Sequence, residues 1–231
     1  ITAHKKQVQA LQDFTAMLAH DLRTPAAVIA GFAQLLSTGP YDDEVTSIAR
    51  RIERASSTIV DLLENALTTE SIDSGRLTAR PIALDVREAV GTAVQAALSA
   101  AEMNEQELDV DLAGLVPAVA WVDPLHLEQV MTNLIGNARK YGGPHVRVTT
   151  RVTDRRVEIL VEDDGPGVPA RFVPQLFERY SRSQEARTSK QRGSGLGLYI
   201  VRDLLTANDG TIDYEPAALG GAGFRVGLPA A

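Results

Sequence analysis

The residue best placed for chemistry is a histidine with a carboxylate beside it. His20 is followed at once by Asp21, and Pro25 interrupts the same apolar-periodic stretch. Proline removes the backbone hydrogen bond to the carbonyl of residue 21 and kinks a helix there. A kink one turn after an exposed imidazole loosens and presents it. Asp21 can accept one ring N–H, so that the other nitrogen keeps its lone pair as a nucleophile. A lone helical histidine is also ordinary surface decoration, and position alone leaves both readings open.

Four further constellations lie in the rest of the chain. Asn133 and Asn137 are one helical turn apart, with Lys140 and Tyr141 a turn further on. Asparagine lowers helix propensity in mid-helix, so these types suggest an amide oxygen for a divalent cation, an ammonium for phosphate and an aromatic ring beside a base. Asp163-Asp164-Gly165-Pro166-Gly167 ends a strand. A carboxylate there can accept from an exocyclic amine, and glycines permit close backbone approach; the same run is equally an ordinary turn. Gly193-Ser194-Gly195-Leu196-Gly197-Leu198 precedes a helix, whose first N–H groups can face phosphate oxygens. Its spacing is not the dinucleotide fingerprint, and flexible linkers use the same residues. Ser181 to Arg192 carries Arg182, Arg187, Lys190 and Arg192 against Glu185 alone, a reversal of sign that suits a lid over a triphosphate or a solvated loop.

The elements that must position these residues fall into two groups. Val8, Leu11, Thr15, Leu18, Leu22, Pro25, Ile29, Phe32 and Leu36 alternate by three and four, an a/d heptad seam on which His20 takes the solvent-facing f position. Gly39-Pro40 breaks the helix, and Asp42-Asp43-Glu44 starts a second one. Its seam is Ile48, Ile52, Ala55, Ile59, Leu62 and Ala66. Two helices cannot bury two such stripes, whereas two hairpins make a four-helix bundle, so the pattern predicts a homodimer; a monomeric hairpin folded onto the rest of the chain is the other reading.

After Asp73-Ser74-Gly75 the pattern changes. Leu77 to Leu84 reads as extended, Asp85 to about Glu102 as a helix, and Asn104 to Pro117 as a strand and a loop. A strand at Ala120-Trp121-Val122 feeds a helix capped by Asp123, with Pro124 in its first turn, that runs to about Tyr141. His145 to Thr153 and Arg156 to Asp163 read as paired strands. A short helix at Phe172 to Phe177, a long one at Leu196 to Ala207 and strands at Thr211 to Tyr214 and Phe224 to Leu228 complete the chain. The prediction is two domains: an all-α helical hairpin over 1–73, then an α/β two-layer sandwich over 74–231, with a hinge near Ser71 to Gly75.

Composition narrows the function classes. The 231 residues carry 23 Lys+Arg against 30 Asp+Glu, a net charge of −7, which makes nucleic acid a poor partner. The absence of cysteine excludes disulfides, thiolate metal sites and a thiol nucleophile. No charge-free run reaches the roughly 20 residues that span a bilayer. The chain opens at Ile1 without an initiator Met, so it is read as a cytoplasmic piece of something longer, with any inner-membrane anchor in an upstream segment.

Phe14 through Leu36, centred on His20-Asp21-Leu22-Arg23-Thr24-Pro25, resembles the phosphoacceptor box of the sensor histidine kinases of two-component systems. Asn133 through Tyr141 resembles the Asn box of the Bergerat ATP-binding fold, shared by histidine kinases, heat-shock chaperone ATPases, mismatch-repair ATPases and topoisomerases. Asp163 to Gly167 is similar to that fold's first glycine box, Phe177-Glu178-Arg179-Tyr180 to its Phe box and Gly193 to Leu198 to its second glycine box. The resemblance spans about Phe14 to Leu228, with residues 78–120 matching only loosely.

The resemblance implies roles residue by residue. His20 would accept the phosphoryl group, Asp21 would be its acid/base partner and Thr24 would position water for phosphatase action. Asn137 would hold Mg²⁺ against the phosphates of ATP, assisted by Asn133. Lys140 would contact phosphate, Tyr141 would pack near the purine and Asp163 would accept from the adenine amine. Gly165 and Gly167 would shape that pocket, and Gly193, Gly195 and Gly197 the phosphate lid. Tyr180, Arg192, Leu196 and Leu198 complete the nucleotide-contacting set. Asp21 stands where many relatives have Glu, which demands tighter geometry, and Tyr180 replaces the second Phe of the Phe box. The expected reaction is autophosphorylation of His20, then transfer to an Asp of a response regulator receiver domain. The alternative is a Bergerat-type ATPase, or a nucleotide-binding dimeric signalling module, without histidine phosphorylation. Those ATPases place a Glu one turn before the metal-binding Asn, where this chain has Asn133, and an amide is no general base. The P-loop, H-R-D and D-F-G kinase motifs are missing.

Overall fold

The computed structural model describes residues 22, 26–39, 41–103, 106–153, 155–181 and 195–231. The chain forms two compact units, Ile1–Arg76 and Leu77–Ala231. Among the described residues no helix is long and apolar enough to cross a membrane.

In the first unit, residues 26–38 form helix α1 and Asp43–Asp73 form helix α2. Asp42 caps α2 because its carboxylate accepts the Val45 N–H at 2.9 Å, and Asp43 and Glu44 complement the positive end of the helix. At the other end Gly75 takes a left-handed conformation; its N–H reaches the Ile72 carbonyl and the Arg76 N–H the Ser71 carbonyl, a Schellman closure. Ser71, Ile72 and Asp73 are thus the last residues of a capped helix, Ser74 and Gly75 form its closing turn, and no regular structure follows over residues 76–81. The apolar seam stays open in a single chain: Leu22, Ile29, Leu36, Ile48, Ile52, Ile59 and Leu62 are exposed, and Phe32 is 65% exposed. The buried positions are small ones, among them Ala26, Ala33, Ala49 and Ser56.

The second unit holds strands β1 (Ile82–Asp85), β2 (Asp109–Asp111), β3 (Val119–Val122), β4 (His145–Val152), β5 (Arg156–Asp163), β6 (Thr211–Pro216) and β7 (Ala222–Pro229). Its helices are α3 (Val86–Met103), α4 (Pro124–Tyr141) and α5 (Gly197–Ala207). The main sheet runs β2-β4-β5-β7-β6, with only β2 and β4 parallel, while β1 and β3 form an antiparallel ribbon. Alternation builds one apolar face. The register sets Val148 beside Val161 and Val161 beside Phe224, and Ile159 beside Val226 in the next row. Helix α4 packs on β4 and β5, α5 on β6, and α3 on α4, burying Leu127, Met131, Leu134, Ile135, Ile200 and Leu204 completely. The result is the two-layer α/β arrangement that the strand and helix patterns predict. One expected element is different: the helix at Phe172 to Phe177 is a single 3-10 turn, Val173–Gln175. Its Pro174 supplies no N–H, and so short a segment has no room for a second hydrogen-bonded turn.

A buried polar knot ties α4 to α5. Asp123 caps α4 through the Leu125 and His126 N–H groups and also accepts the Arg80 N–H at 2.9 Å. The Asp123 N–H donates to Asn208 Oδ1, and Asn208 Nδ2 donates to the Leu204 carbonyl, both at 2.8 Å. These two backbone partners fix the amide orientation, so His126 Nδ1, 3.0 Å from Asn208 Nδ2, must be the acceptor. Burial accordingly holds the His126 imidazole below its ordinary value of 6.5, with Asp123 pulling the other way. A depressed histidine destabilises the fold as pH drops below the unfolded value. The unfolding midpoint is therefore expected to fall between about pH 7 and about pH 5.5, and to fall less in His126→Leu. Equal pH dependence in the two proteins, measured by circular dichroism, refutes the assignment.

Candidate functional site

Helix α4 carries its core stripe on Leu127, Val130, Leu134 and Ala138, and turns Asn133 and Asn137, both half-buried, onto another face. Asn133 Nδ2 donates to the Gln129 carbonyl at 2.9 Å. Its Oδ1 lies against α5, where a β-carbon on Gly197 would come within 2.6 Å of it. The first residue of α5 is thus pressed against the Asn133 amide. The Asn137 amide makes no hydrogen bond among the described residues. At the start of α5 the N-cap residue is Leu196, whose side chain makes no capping hydrogen bond to the first turn.

Strand β5 ends in two adjacent acids with opposite fates. Asp163 shares the helix-facing side with Val157, Ile159 and Val161 and is 5% exposed. Its Oδ1 accepts the Gly165 N–H at 2.9 Å and the Ala222 N–H at 3.1 Å, and no donor among the described residues reaches Oδ2. Burial pushes this carboxyl above the ordinary aspartate range, with Ala222 and Gly165 opposing and the neighbouring Asp164 charge adding to the rise. Asp164 instead closes the β4–β5 end: its Oδ1 accepts the His145 N–H at 3.0 Å.

Missing side chains let three backbone segments meet at Asp163. A β-carbon on Gly142, which ends α4, would stand 2.7 Å from the Asp163 side chain, and one on Gly165 would stand 2.5 Å from Gly142 Cα. A β-carbon on Gly221 would run into Asp163 Oδ1. The helix end bearing Lys140 and Tyr141 is therefore held beside this carboxylate. Gly142 and Gly221 are absent from the sequence-derived set, although the Gly-Gly pair directly after Tyr141 signals a close approach.

Tyr180 is exposed, with a positive φ of 55°. Arg179 lies over the Tyr180 ring and over the Tyr199 ring of α5, at 5.6 and 5.3 Å. Gly195, at φ +73°, fits against the Tyr180 and Ser181 backbone, where a β-carbon would come within 2.8 Å. The structure thus brings Asn133 to Gly197, Asp163 to Gly165 and Gly142, and Gly195 to Tyr180. Gly167 turns at φ +69° against the Gly221 carbonyl, and Leu198 is half-buried in the first turn of α5. His20, Asp21, Thr24, Arg192 and Gly193 lie outside the described residues.

Residues 10–75 match the family described as the His Kinase A (phospho-acceptor) domain. Residues 122–231 match the histidine kinase-, DNA gyrase B- and HSP90-like ATPase family. The signal transduction histidine-protein kinase AfsQ2 of Streptomyces coelicolor is 32% identical over 96% of this chain and 42% of its own length. The probable sensor histidine kinase TcrY of Mycobacterium tuberculosis is 33% identical over 99% of this chain and 48% of its own. The chain thus spans less than half the length of these relatives. A crystal structure of full-length ShkA in complex with AMPPNP superposes on 95% of the chain, and 46% of that protein, with a TM-score of 0.68 at 24% identity, a likeness of fold.

Proposed function

The chain belongs to the sensor histidine kinases of two-component systems, and on that premise we propose that it phosphorylates its own His20 from ATP and passes the group to an Asp of a response regulator receiver domain. An imidazole nitrogen of His20 forms the N–P bond as the bond from the γ-phosphorus to the bridging oxygen of ADP breaks. Asp21 holds the proton of the other ring nitrogen. Thr24 positions the water that removes phosphate from the regulator. Catalysis is mainly positioning and charge neutralisation.

One observation carries the nucleotide reading: Asp163 has Oδ1 locked by two backbone N–H groups and Oδ2 unclaimed, beside the helix end that bears Lys140 and Tyr141. An oriented, half-used carboxylate is an acceptor for the exocyclic amine of adenine. Gly165 and Gly167 shape the wall, and Gly193, Gly195, Gly197, Leu196, Leu198, Arg192 and Tyr180 serve the phosphate side. Amide oxygens together with nucleotide phosphates make an all-oxygen donor set that suits Mg²⁺. Among the described residues no three His, Cys, Asp or Glu form a metal cage; Asn137, assisted by Asn133, would hold the ion together with the nucleotide phosphates. Mg²⁺ supplies Lewis-acid neutralisation of phosphate charge. Hydrolysis without transfer lacks its base: Asn133 stands in that place with its amide bonded to Gln129.

The open seam on α1 and α2 supports a homodimeric four-helix bundle, because the exposed large apolar side chains along the two helices need a second hairpin to cover them. The protein works in the cytoplasm, where ATP is supplied.

Incubation with γ-labelled ATP and Mg²⁺ tests the proposal. A label that is acid-labile, base-stable and chased onto an added receiver domain supports it; phosphate release without protein labelling overturns it. The pocket has its own test. A β-carbon in Gly197→Ala must displace the Asn133 amide, and the expected result is ATP binding weaker by about tenfold in calorimetric titration. Unchanged affinity would remove Asn133 from the site.

A further inference from the structure

We propose that Glu162 is a positioning residue for base recognition: it holds the turn between β6 and β7, and that turn supplies the backbone N–H groups that aim the Asp163 carboxylate. The inference rests on reading Asp163 as the acceptor of the adenine amine. Glu162 is 6% exposed and points to the opposite sheet face from Asp163, with Glu158 and Leu160. Its one hydrogen bond among the described residues is the Ala218 N–H donated to Oε1 at 2.8 Å. Among the described residues this carboxylate has that one backbone donor and no ion-pair partner, so the Ala218 N–H is the group it orders. Its register partner on β4, Arg147, is turned to Asp111 at 3.0 Å. Its partner on β7, Gly223, has no side chain and leaves the carboxylate a path across the strand to the turn.

The turn is tight: the Gly220 N–H reaches the Ala217 carbonyl, and the Ala217 N–H reaches the Gly221 carbonyl, both at 3.0 Å. Directly after it come the groups that meet Asp163, the Gly221 N–H on its backbone oxygen and the Ala222 N–H on Oδ1, both at 3.1 Å. Glu162 and Asp163 grip one turn from the two faces of one strand. Releasing Ala218 frees the turn to shift, and the Oδ1 contact shifts with it.

Three variants separate this role from general stability. Glu162→Ala removes the acceptor, Glu162→Gln keeps it, and Ala218→Pro removes the donor. Ala218 is the second residue of a β-turn in which Leu219 lacks a positive φ, a geometry that accepts proline at that position. The measurement is the affinity of the full chain for ATP and for purine riboside triphosphate, the same nucleotide without the exocyclic amine. Glu162→Ala and Ala218→Pro are expected to weaken ATP by about tenfold and to bind the amine-free nucleotide as the parent does, while Glu162→Gln restores ATP affinity. The proposal is overturned if ATP affinity is unchanged in both weakened variants, or if the two nucleotides weaken together. A parent chain that binds both nucleotides equally overturns the Asp163 reading itself, and this inference with it.

Discussion

A His20→Ala chain is expected to take up no label from γ-labelled ATP while its affinity for the nucleotide equals that of the parent. The proposed nucleophile is a single imidazole, and the carboxylate and hydroxyl that follow it in the sequence, Asp21 and Thr24, are poor substitutes for it by type. The loss of labelling should reach at least about 10³-fold, the scale on which removal of a covalent nucleophile acts. Nucleotide affinity should hold because every residue assigned to the pocket lies in the second unit, Leu77–Ala231. The chain has four histidines, and two are otherwise engaged: His126 accepts from Asn208, and His145 Nδ1 lies 3.3 Å from Asp109 Oδ2. Residual label at the parental level in His20→Ala would move the phosphoacceptor elsewhere and sink the account.

Asp163→Asn is expected to lose nucleotide while leaving the empty protein at least as stable. The carboxamide oxygen can still accept from Gly165 and Ala222, which forces its NH₂ group into the place of Oδ2. There a donor faces the donor amine of adenine. An unmatched pair of this kind costs about 2–3 kcal/mol, on the order of 10²-fold in affinity. Stability moves the other way. Because burial raises the Asp163 carboxyl, the folded protein is penalised as pH climbs through the ordinary value of 3.8 toward the raised one. Asn carries no such penalty, so at neutral pH its unfolding midpoint is expected to equal or exceed that of the parent. Parental ATP affinity in a folded Asp163→Asn protein, by calorimetry, would take this residue out of base recognition.

Much of this was readable along the chain, for reasons that are local. The three-four alternation announced α2, and Asp42 and Asp123 announced helix starts, because a cap and a stripe are decided within a turn or two. The spacing of Asn133 and Asn137 put them on one face, and the valine and isoleucine alternation announced β5 and its acidic end. The stretch from Phe172 to Phe177 misled because a few apolar residues around a proline satisfy a helical pattern without room for its hydrogen bonds.

Other features belong to the folded chain alone. Asp163 and Asp164 are identical in type and adjacent, and their separation into a half-used buried acceptor and a strand-end clasp depends on the pleat and on where β7 begins. The donor that locks Asp163 comes from Ala222, and the groups that crowd it come from Gly142 and Gly221. Glu162 finds its partner at Ala218, and Asn133 finds Gly197. None of these pairs lies within a local period. They follow from antiparallel register and from how closely α4 and the β6–β7 turn approach the end of β5. Such contacts arise only when every strand is paired, because one residue of slip would exchange the faces of Glu162 and Asp163.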